Sequence, residues 1–471
     1  MSAPGAQLTL LGPAGCRRLH EATLTVLEHV GVDVLQDDDA LRLYAEAGAR
    51  VEGDRVFLRP GLVEAALAGA PSEWTLRPRG GDARPLVLRA GETYFGNGQG
   101  CPYVRDPDTH VRRPPGFDDL EELAALLERL PHVDFVMMVV SSEEAPPEQR
   151  DLAHAAALLR GTRKPLVLTP MDGRCVPGIV RMAEACGEQD SVAVLAMPGP
   201  PLRHDAGGLS KVVACAEAQV PLICGPAPSA GSTAPRSVPA TVVVANAEVL
   251  SALVLHQYVR PGAPFVYGAG GGATDMRNAG DPYTTPDLHL ALQAGCDLAR
   301  HYGLPSYSYA GISVSKALDQ QWSAEAALTM ALGGLSRATL LHGFGGLENG
   351  MSAAYEALVL GDELAGYVKA FLREVPLDDH ALALEEIAAA GPGGNHLGTR
   401  YTRRHHREFW SSELFDDAGH GRWVAQGSLT LLDRVRARVA RLRAEPRAFT
   451  LSGEQLAALD GVVTGVSGRS P

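Results

Sequence analysis

The sequence has no C-x-x-C pair: its seven cysteines, Cys16, Cys101, Cys175, Cys186, Cys215, Cys224 and Cys296, are scattered over 471 residues. That spacing excludes a disulfide framework and a structural zinc cluster. No run of 18 apolar residues occurs, so no membrane-spanning helix is predicted. Positive charge is short as well. With 42 Lys and Arg against 55 Asp and Glu, the net charge of -13 has the wrong sign for a partner made of nucleic-acid phosphates. The opening stretch, MSAPGAQLTLLGPAGCRR, lacks the basic start and apolar core of a signal peptide. The expectation is a reduced, cytoplasmic protein without nucleic-acid or membrane partners. A homo-oligomer is compatible with this composition and is not specified by it.

Catalytic signatures are missing too. There is no H-E-x-x-H, no G-x-S-x-G, no P-loop and no Cys/His pair at ligand spacing. His405 and His406 are adjacent on a basic stretch and read as a solvated face, so no metal site is expected. Either the chemistry needs little acid–base help or a cofactor brings it.

What is present is punctuation. Fifty-two glycines and 33 prolines fall between short apolar runs, as tight strand-to-helix loops require. The runs lie at 93–100, 133–142, 165–170, 191–200, 221–228, 264–270, 305–311 and 338–346, with amphipathic helical stretches between them. Strands buried on both faces read as continuous apolar runs, and parallel neighbours need helical crossovers. Eight such units predict an α/β fold, a (β/α)8 barrel, over residues 91–371. A doubly wound sheet is the alternative. Residues 1–90 read as a helical and hairpin extension, and 372–471 as a helical C-terminal one.

The stretch YGAGGGATDMRNAG, from position 267, nearly spells a dinucleotide fingerprint. A phosphate cradle needs a helix opening at the glycines and an acid about 20 residues on. Here further turn signals and a proline intervene, and the following strand ends without an acid. A nucleotide-dependent oxidoreductase is therefore disfavoured. At the carboxyl end of a barrel strand, Gly268, Gly270, Gly271 and Gly272 instead leave backbone bare for a bulky ligand, or serve a long loop that needs positive φ angles.

Other strand ends carry aromatic and amide side chains: Tyr94, Phe95, Asn97 and Gln99 on the first, Tyr267 on the sixth, and Tyr307 and Tyr309 on the seventh. The eighth carries His342, Phe344, Glu348 and Asn349, and Trp322 opens the helix before it. In a chain only 6% aromatic, such a gathering points to a cage for a cation, held by ring faces. A substrate carboxylate would need a cationic or amide partner, for which Arg277 and Lys316 are the candidates.

Segments including ATVVVANAEVLSALVLHQYVRPGAPFVYG, TDMRNAGDPYTTPDLHLALQAGCDLARHYGLP, ALDQQWSAEAALTMALGGLSRATLLHGFGGLENG and GPGGNHL resemble the trimethylamine methyltransferase family, in the family's order, over residues 90–415. The resemblance implies a (β/α)8 barrel that moves a methyl group from an amine to a corrinoid (a cobalamin) carried by a separate corrinoid-binding protein. It also implies that the bare glycines, with Asp275, leave room for the corrinoid or for the methylammonium headgroup, while the aromatics hold the substrate. Members acting on trimethylamine use pyrrolysine. This chain has only ordinary residues and so resembles the branch acting on quaternary amines such as glycine betaine. A barrel that binds such a ligand without turnover is the alternative. The chain departs from the family's pattern at Asn395-His396 and Tyr401-Thr402.

Overall fold

The structure, a computed structural model, describes residues 2–3, 5–80, 84–98 and 100–465. Gln99 lies outside the described residues.

Eight parallel strands form one sheet: β1 (Tyr94–Asn97), β2 (Val136–Met137), β3 (Leu166–Leu168), β4 (Val192–Ala196), β5 (Leu222–Cys224), β6 (Phe265–Gly268), β7 (Ser306–Ala310) and β8 (Leu340–Phe344). From β2 to β8 each strand pairs with its neighbour in sequence, and β8 returns to β1. One helix follows every strand: α1 (Phe117–Arg129), α2 (Pro147–Gly161), α3 (Val176–Ala185), α4 (Ala206–Ala218), α5 (Val238–Val259), α6 (Pro286–Tyr302), α7 (Gln320–Ser336) and α8 (Tyr355–Leu372). The fold is a (β/α)8 barrel.

The helices start where the sequence supplies caps. Asp319 accepts from the Trp322 amide at 3.0 Å to open α7, and Asp119 accepts from the Gly116 amide at 2.8 Å to open α1. In α1, Leu120, Leu123, Ala124 and Leu127 are buried, the spacing of a single face laid on the barrel. Helix α5 is apolar nearly all round. It is long and apolar enough to cross a bilayer, but 72% of its most apolar window is buried inside the fold.

The barrel closes between β1 and β2 through an unusual seam. The Asp134 amide donates to the Phe95 carbonyl at 2.7 Å, and Gly96 pairs with Phe135. Beyond them a side chain takes over the ladder. Asn97 Nδ2 donates to the Met137 carbonyl at 2.9 Å, and Asn97 Oδ1 accepts from the Met137 amide at 2.9 Å. A side-chain amide thus supplies both halves of one strand pairing, satisfying two buried backbone groups.

At the opposite end from the mouth, an antiparallel hairpin (Glu73–Leu76 with Leu86–Arg89) plugs the barrel. Its Leu76, Leu86 and Leu88 pack with Phe135, Met137 and Val167. The N-terminal segment straps α6 and α7, with the Leu8 amide donating to the Leu335 carbonyl at 2.8 Å. After α8, residues 373–430 form short helices on the outside. The chain then returns as helix Leu431–Ala444 against α8 and α1, and as Gly453–Gly465 against α2 and α3.

Candidate active site

At the carboxyl ends of β7 and β8, register places Tyr307 opposite Leu340 and Tyr309 opposite His342. Side chains alternate along a strand, so all four point into the barrel, while Ser306, Ser308 and Leu341 point out. The Tyr307 ring stacks on the His342 imidazole, with centroids 4.4 Å apart and planes at 11°, and Tyr309 tilts over the same imidazole at 4.7 Å. Above them is a cavity of about 180 Å³, lined by Tyr283, Tyr309, Ser313, His342 and Asn349 together with glycine backbone, Met197, Ile312 and Cys101, whose thiol burial pushes up to about 12. No Asp, Glu, Lys or Arg is among its described lining residues.

Two loops roof this chamber. Tyr283, from the loop after β6, lies over Tyr309. Asn349, from the loop after β8, holds it there: its Oδ1 accepts from the Tyr283 amide at 2.9 Å and its Nδ2 donates to the Asp281 carbonyl at 2.9 Å. Asn349 does this in the left-handed region, with φ 59°, which Asn tolerates better than most residues. On the third side Ser313 donates to Glu325 Oε2 at 2.7 Å, which also accepts from the Val314 amide at 2.9 Å and fixes the loop after β7.

His342 is the unusual group. It is buried, and neither ring nitrogen has a hydrogen-bond partner among the described residues. Burial holds its pKa down to about 3, so the ring is neutral at physiological pH and offers one N–H donor and one bare nitrogen. Unpartnered buried polar atoms are uncommon in folded proteins. These belong to a residue that lines an open chamber.

Several residues that the sequence suggested for the site lie elsewhere. Tyr267 is paired with outward-facing Ser306, so it points under the helices and donates to Asn246 Oδ1 of α5 at 3.0 Å. Phe95 is likewise outward, in the layer beneath α7 and α8. Phe344 should face inward by alternation, but the β8–β1 register shifts between His342 and Phe344, and the bulge turns the ring against Gly311 and Gly361. Trp322 is buried in the outer core, where its Nε1 donates to the Gly346 carbonyl at 2.9 Å and anchors a chamber loop from behind. Tyr94 is inward but at the floor, where its hydroxyl accepts from the Val87 amide at 3.0 Å. Asn97 is occupied by the seam.

The charged candidates also leave the chamber. Arg277 is 89% exposed and folds back on Asp275, donating from Nε to Oδ1 at 2.9 Å. Hydrogen bonds from that arginine hold the Asp275 carboxyl down to about 2. Lys316 is exposed and donates to its own loop at the Val314 carbonyl, 3.1 Å away. Glu348 pairs with Arg112 at 3.2 Å beside the chamber rim.

The glycine stretch after β6 is bare for protein, not for ligand. A Cβ on Gly268 would collide with the Cys224 carbonyl oxygen, and one on Gly270 with that of Pro226. Gly271 faces Ala291, and Gly272 faces Ser229 and Asp281. The glycines let the loops after β5 and β6 run against each other as a short parallel pair, Ser229–Ala230 with Gly272–Ala273. Ser229 Oγ laces them, donating to Asp281 Oδ1 at 2.6 Å. The next helix, α6, begins only at Pro286, so no helix N-terminus faces a phosphate here.

The sequence reading missed Tyr283, which sits inside the quoted loop as the one aromatic between two prolines. It noted His342 at a strand end but assigned it no role; its alternation with Tyr309 across β7 and β8 was the available signal.

A barrel with an aromatic-walled chamber at its carboxyl mouth has the arrangement on which barrel enzymes place their chemistry. The chain belongs to the trimethylamine methyltransferase (MTTB) family, whose model matches residues 2–464, and it is a methyltransferase. It is 29% identical over 443 residues to the glycine betaine methyltransferase of Desulfitobacterium hafniense (strain Y51), spanning 90% of this chain and 89% of that protein. It is also 29% identical over 429 residues to the trimethylamine methyltransferase MttB of Desulfitobacterium hafniense (strain DSM 10664 / DCB-2), spanning 88% and 86%. With the corresponding protein of Methanosarcina barkeri (strain Fusaro / DSM 804) the identity is 28% over 442 residues, spanning 91% and 89%.

Proposed function

We propose that this methyltransferase moves a methyl group from a small quaternary amine to the Co(I) centre of a corrinoid carried by a separate protein. The observation that carries this reading is the chamber itself, about 180 Å³ walled by Tyr283, Tyr309 and His342, whose imidazole is backed by the Tyr307 ring, with no charged side chain among its described lining residues. Ring faces attract a methylammonium cation by ~0.5–2 kcal/mol each, more when water is excluded. A quaternary nitrogen departs as a neutral tertiary amine, so the protein need supply neither a general acid nor a nucleophile. What remains is orientation and exclusion of water, which a roofed aromatic chamber provides.

A chamber of this volume holds a trimethylammonium group and not a corrin ring. A corrinoid would have to approach the chamber from outside, where Gly346 and Gly350 leave side-chain space unfilled beside Met197. When bound, a reduced corrinoid supplies the nucleophilic cobalt. The glycines after β6 are closed off by their neighbours and would offer it no such space.

For a betaine, the carboxylate needs a donor. With Arg277 and Lys316 on the surface, His342 is the chamber's unpartnered donor and is assigned that role. Relatives named for glycine betaine and for trimethylamine support the substrate class.

The test is anaerobic incubation of the protein with reduced cobalamin and either glycine betaine or tetramethylammonium, read by the methyl-cobalt absorption spectrum and by the demethylated amine. Stoichiometric methylation with one of them is expected. Tight binding without any methyl-cobalt product from a panel of quaternary amines would overturn the reading in favour of a binding barrel.

A further inference from the structure

The chain has nine methionines, and those among the described residues divide by place. Met137, Met182 and Met330 are buried in the core, and Met138 is half-buried. Met171, Met197, Met276 and Met351 are 78%, 42%, 64% and 46% exposed. All four exposed ones stand on loops that leave the carboxyl ends of strands, after β3, β4, β6 and β8. Exposed apolar side chains scattered singly are ordinary. Four of one kind, at four of the eight strand ends around one mouth, make a surface.

That surface is continuous with the chamber. Met197 lines the chamber beside Gly350, and Met351 follows that glycine in the chain. The Met171 and Met197 loops run side by side over the start of α4, with the Met171 carbonyl against Gly207 and the Met197 carbonyl near Gly208. Met276 reaches back over the loop after β5, its sulfur beside Gly231.

Methionine is unbranched and polarizable, so it fits itself to irregular apolar partners and recurs on binding surfaces. The chamber is too small for a corrin ring, which must therefore come to the methyl group across the face these residues cover. A corrin ring suits such a face, being a flat macrocycle with an uneven edge of methyl and amide groups. The thioether has a second property. Hydrogen peroxide transfers one oxygen to the sulfur: the O–O bond breaks, an S–O bond forms, sulfur gives up two electrons and the peroxide leaves as water. The apolar side chain becomes a polar sulfoxide, which methionine sulfoxide reductases return to the thioether.

We propose that Met171, Met197, Met276 and Met351 form the landing face for the corrin ring, and that oxidation of their sulfurs to sulfoxides closes it reversibly. The proposal rests on the reading of the chamber as a site that a corrinoid serves from outside.

Equilibrium dialysis of the full chain against hydroxocobalamin tests it without turnover. Met197 is left unchanged in the variants because it also lines the chamber. The M171L/M276L/M351L variant keeps the apolar surface and should bind hydroxocobalamin nearly as the wild type does. The M171Q/M276Q/M351Q variant should bind roughly tenfold or more weakly, because the surface that docking buries has become polar. Both should keep wild-type affinity for tetramethylammonium in calorimetry and an unchanged far-UV circular dichroism. Peroxide treatment of the wild type, with the sulfoxides located by mass spectrometry, should weaken cobalamin binding as the glutamines do. Methionine sulfoxide reductase should restore it, and the leucine variant should lose much less. A wild type that binds no hydroxocobalamin at millimolar concentration overturns the landing face, as does a glutamine variant that binds like the wild type. Oxidation of all four sulfurs without a change in binding overturns the switch. Cobalamin binding of the expected pattern without any methyl transfer would support the landing face while overturning the proposed function.

Discussion

Tyr283 lies over Tyr309 with ring centroids 5.8 Å apart and planes only 20° from parallel. One ring comes from a loop and the other from a strand, and Asn349, from a third part of the chain, holds the loop in place. The chamber is therefore an assembled object, and each part can be removed separately.

Removing the quadrupole of one wall while keeping apolar bulk separates cage from packing. Tyr309→Leu is expected to weaken tetramethylammonium binding by roughly 0.5–2 kcal/mol, about two- to thirtyfold, whereas Tyr309→Phe keeps the ring and changes little. Tyr267→Leu should leave affinity unchanged and lower thermal stability instead, because that ring packs under α5. Calorimetric titration beside a melting curve reads both. Equal effects of Tyr309→Leu and Tyr309→Phe on affinity would leave the cage without support.

The carboxylate assignment is tested by comparing two ligands. His342→Phe should raise the dissociation constant for glycine betaine well beyond that for tetramethylammonium, which has no carboxylate. Arg277→Ala should affect neither, since its guanidinium is spent on Asp275. If Arg277→Ala selectively impaired the betaine, the loop after β6 would have to close over the chamber in the complex, and His342 would lose its role.

Acid sensitivity should report the same histidine. Burial depresses the folded pKa of His342 from 6.5 to about 3, so the unfolded chain takes up a proton that the folded one refuses. Its stabilising contribution is complete above about pH 6.5 and is lost as pH falls from there towards 3. Over that window it contributes a slope of about 1.4 kcal/mol per pH unit. A His342→Gln variant should therefore show a shallower loss of stability between pH 6 and 4, measured by urea unfolding at several pH values. Parallel pH profiles for the two proteins would mean that the imidazole is protonated in the fold.

The seam makes a prediction about folding alone. Asn97→Leu leaves the Met137 amide and carbonyl without partners in the barrel wall, at about 1–3 kcal/mol for each group. A loss of roughly 2–6 kcal/mol in urea unfolding is expected. Gly270→Ala should also destabilise, because its Cβ has no room against Pro226. A loss of ligand affinity at unchanged stability in Gly270→Ala would return that glycine to the binding site.

The sequence by itself determined the barrel. All eight apolar runs became strands, because burial on both faces demands continuous apolar character and parallel neighbours demand helices between them. It also determined that Tyr307 and Tyr309 share a face, since period-two alternation is local. Which face a neighbouring aromatic shows was decided by tertiary structure. The bulge after His342 inverts Phe344, and pairing with Ser306 turns Tyr267 outward. The glycines after β6 looked like ligand space because a sequence shows a missing side chain without showing what fills its place. Here the filler is the backbone of the loop after β5, more than thirty residues away in the chain. His342 and Tyr283 acquire their meaning in the same way. An imidazole without a partner and a ring lying over another ring are relations between distant segments, and only the closed barrel brings those segments within contact distance.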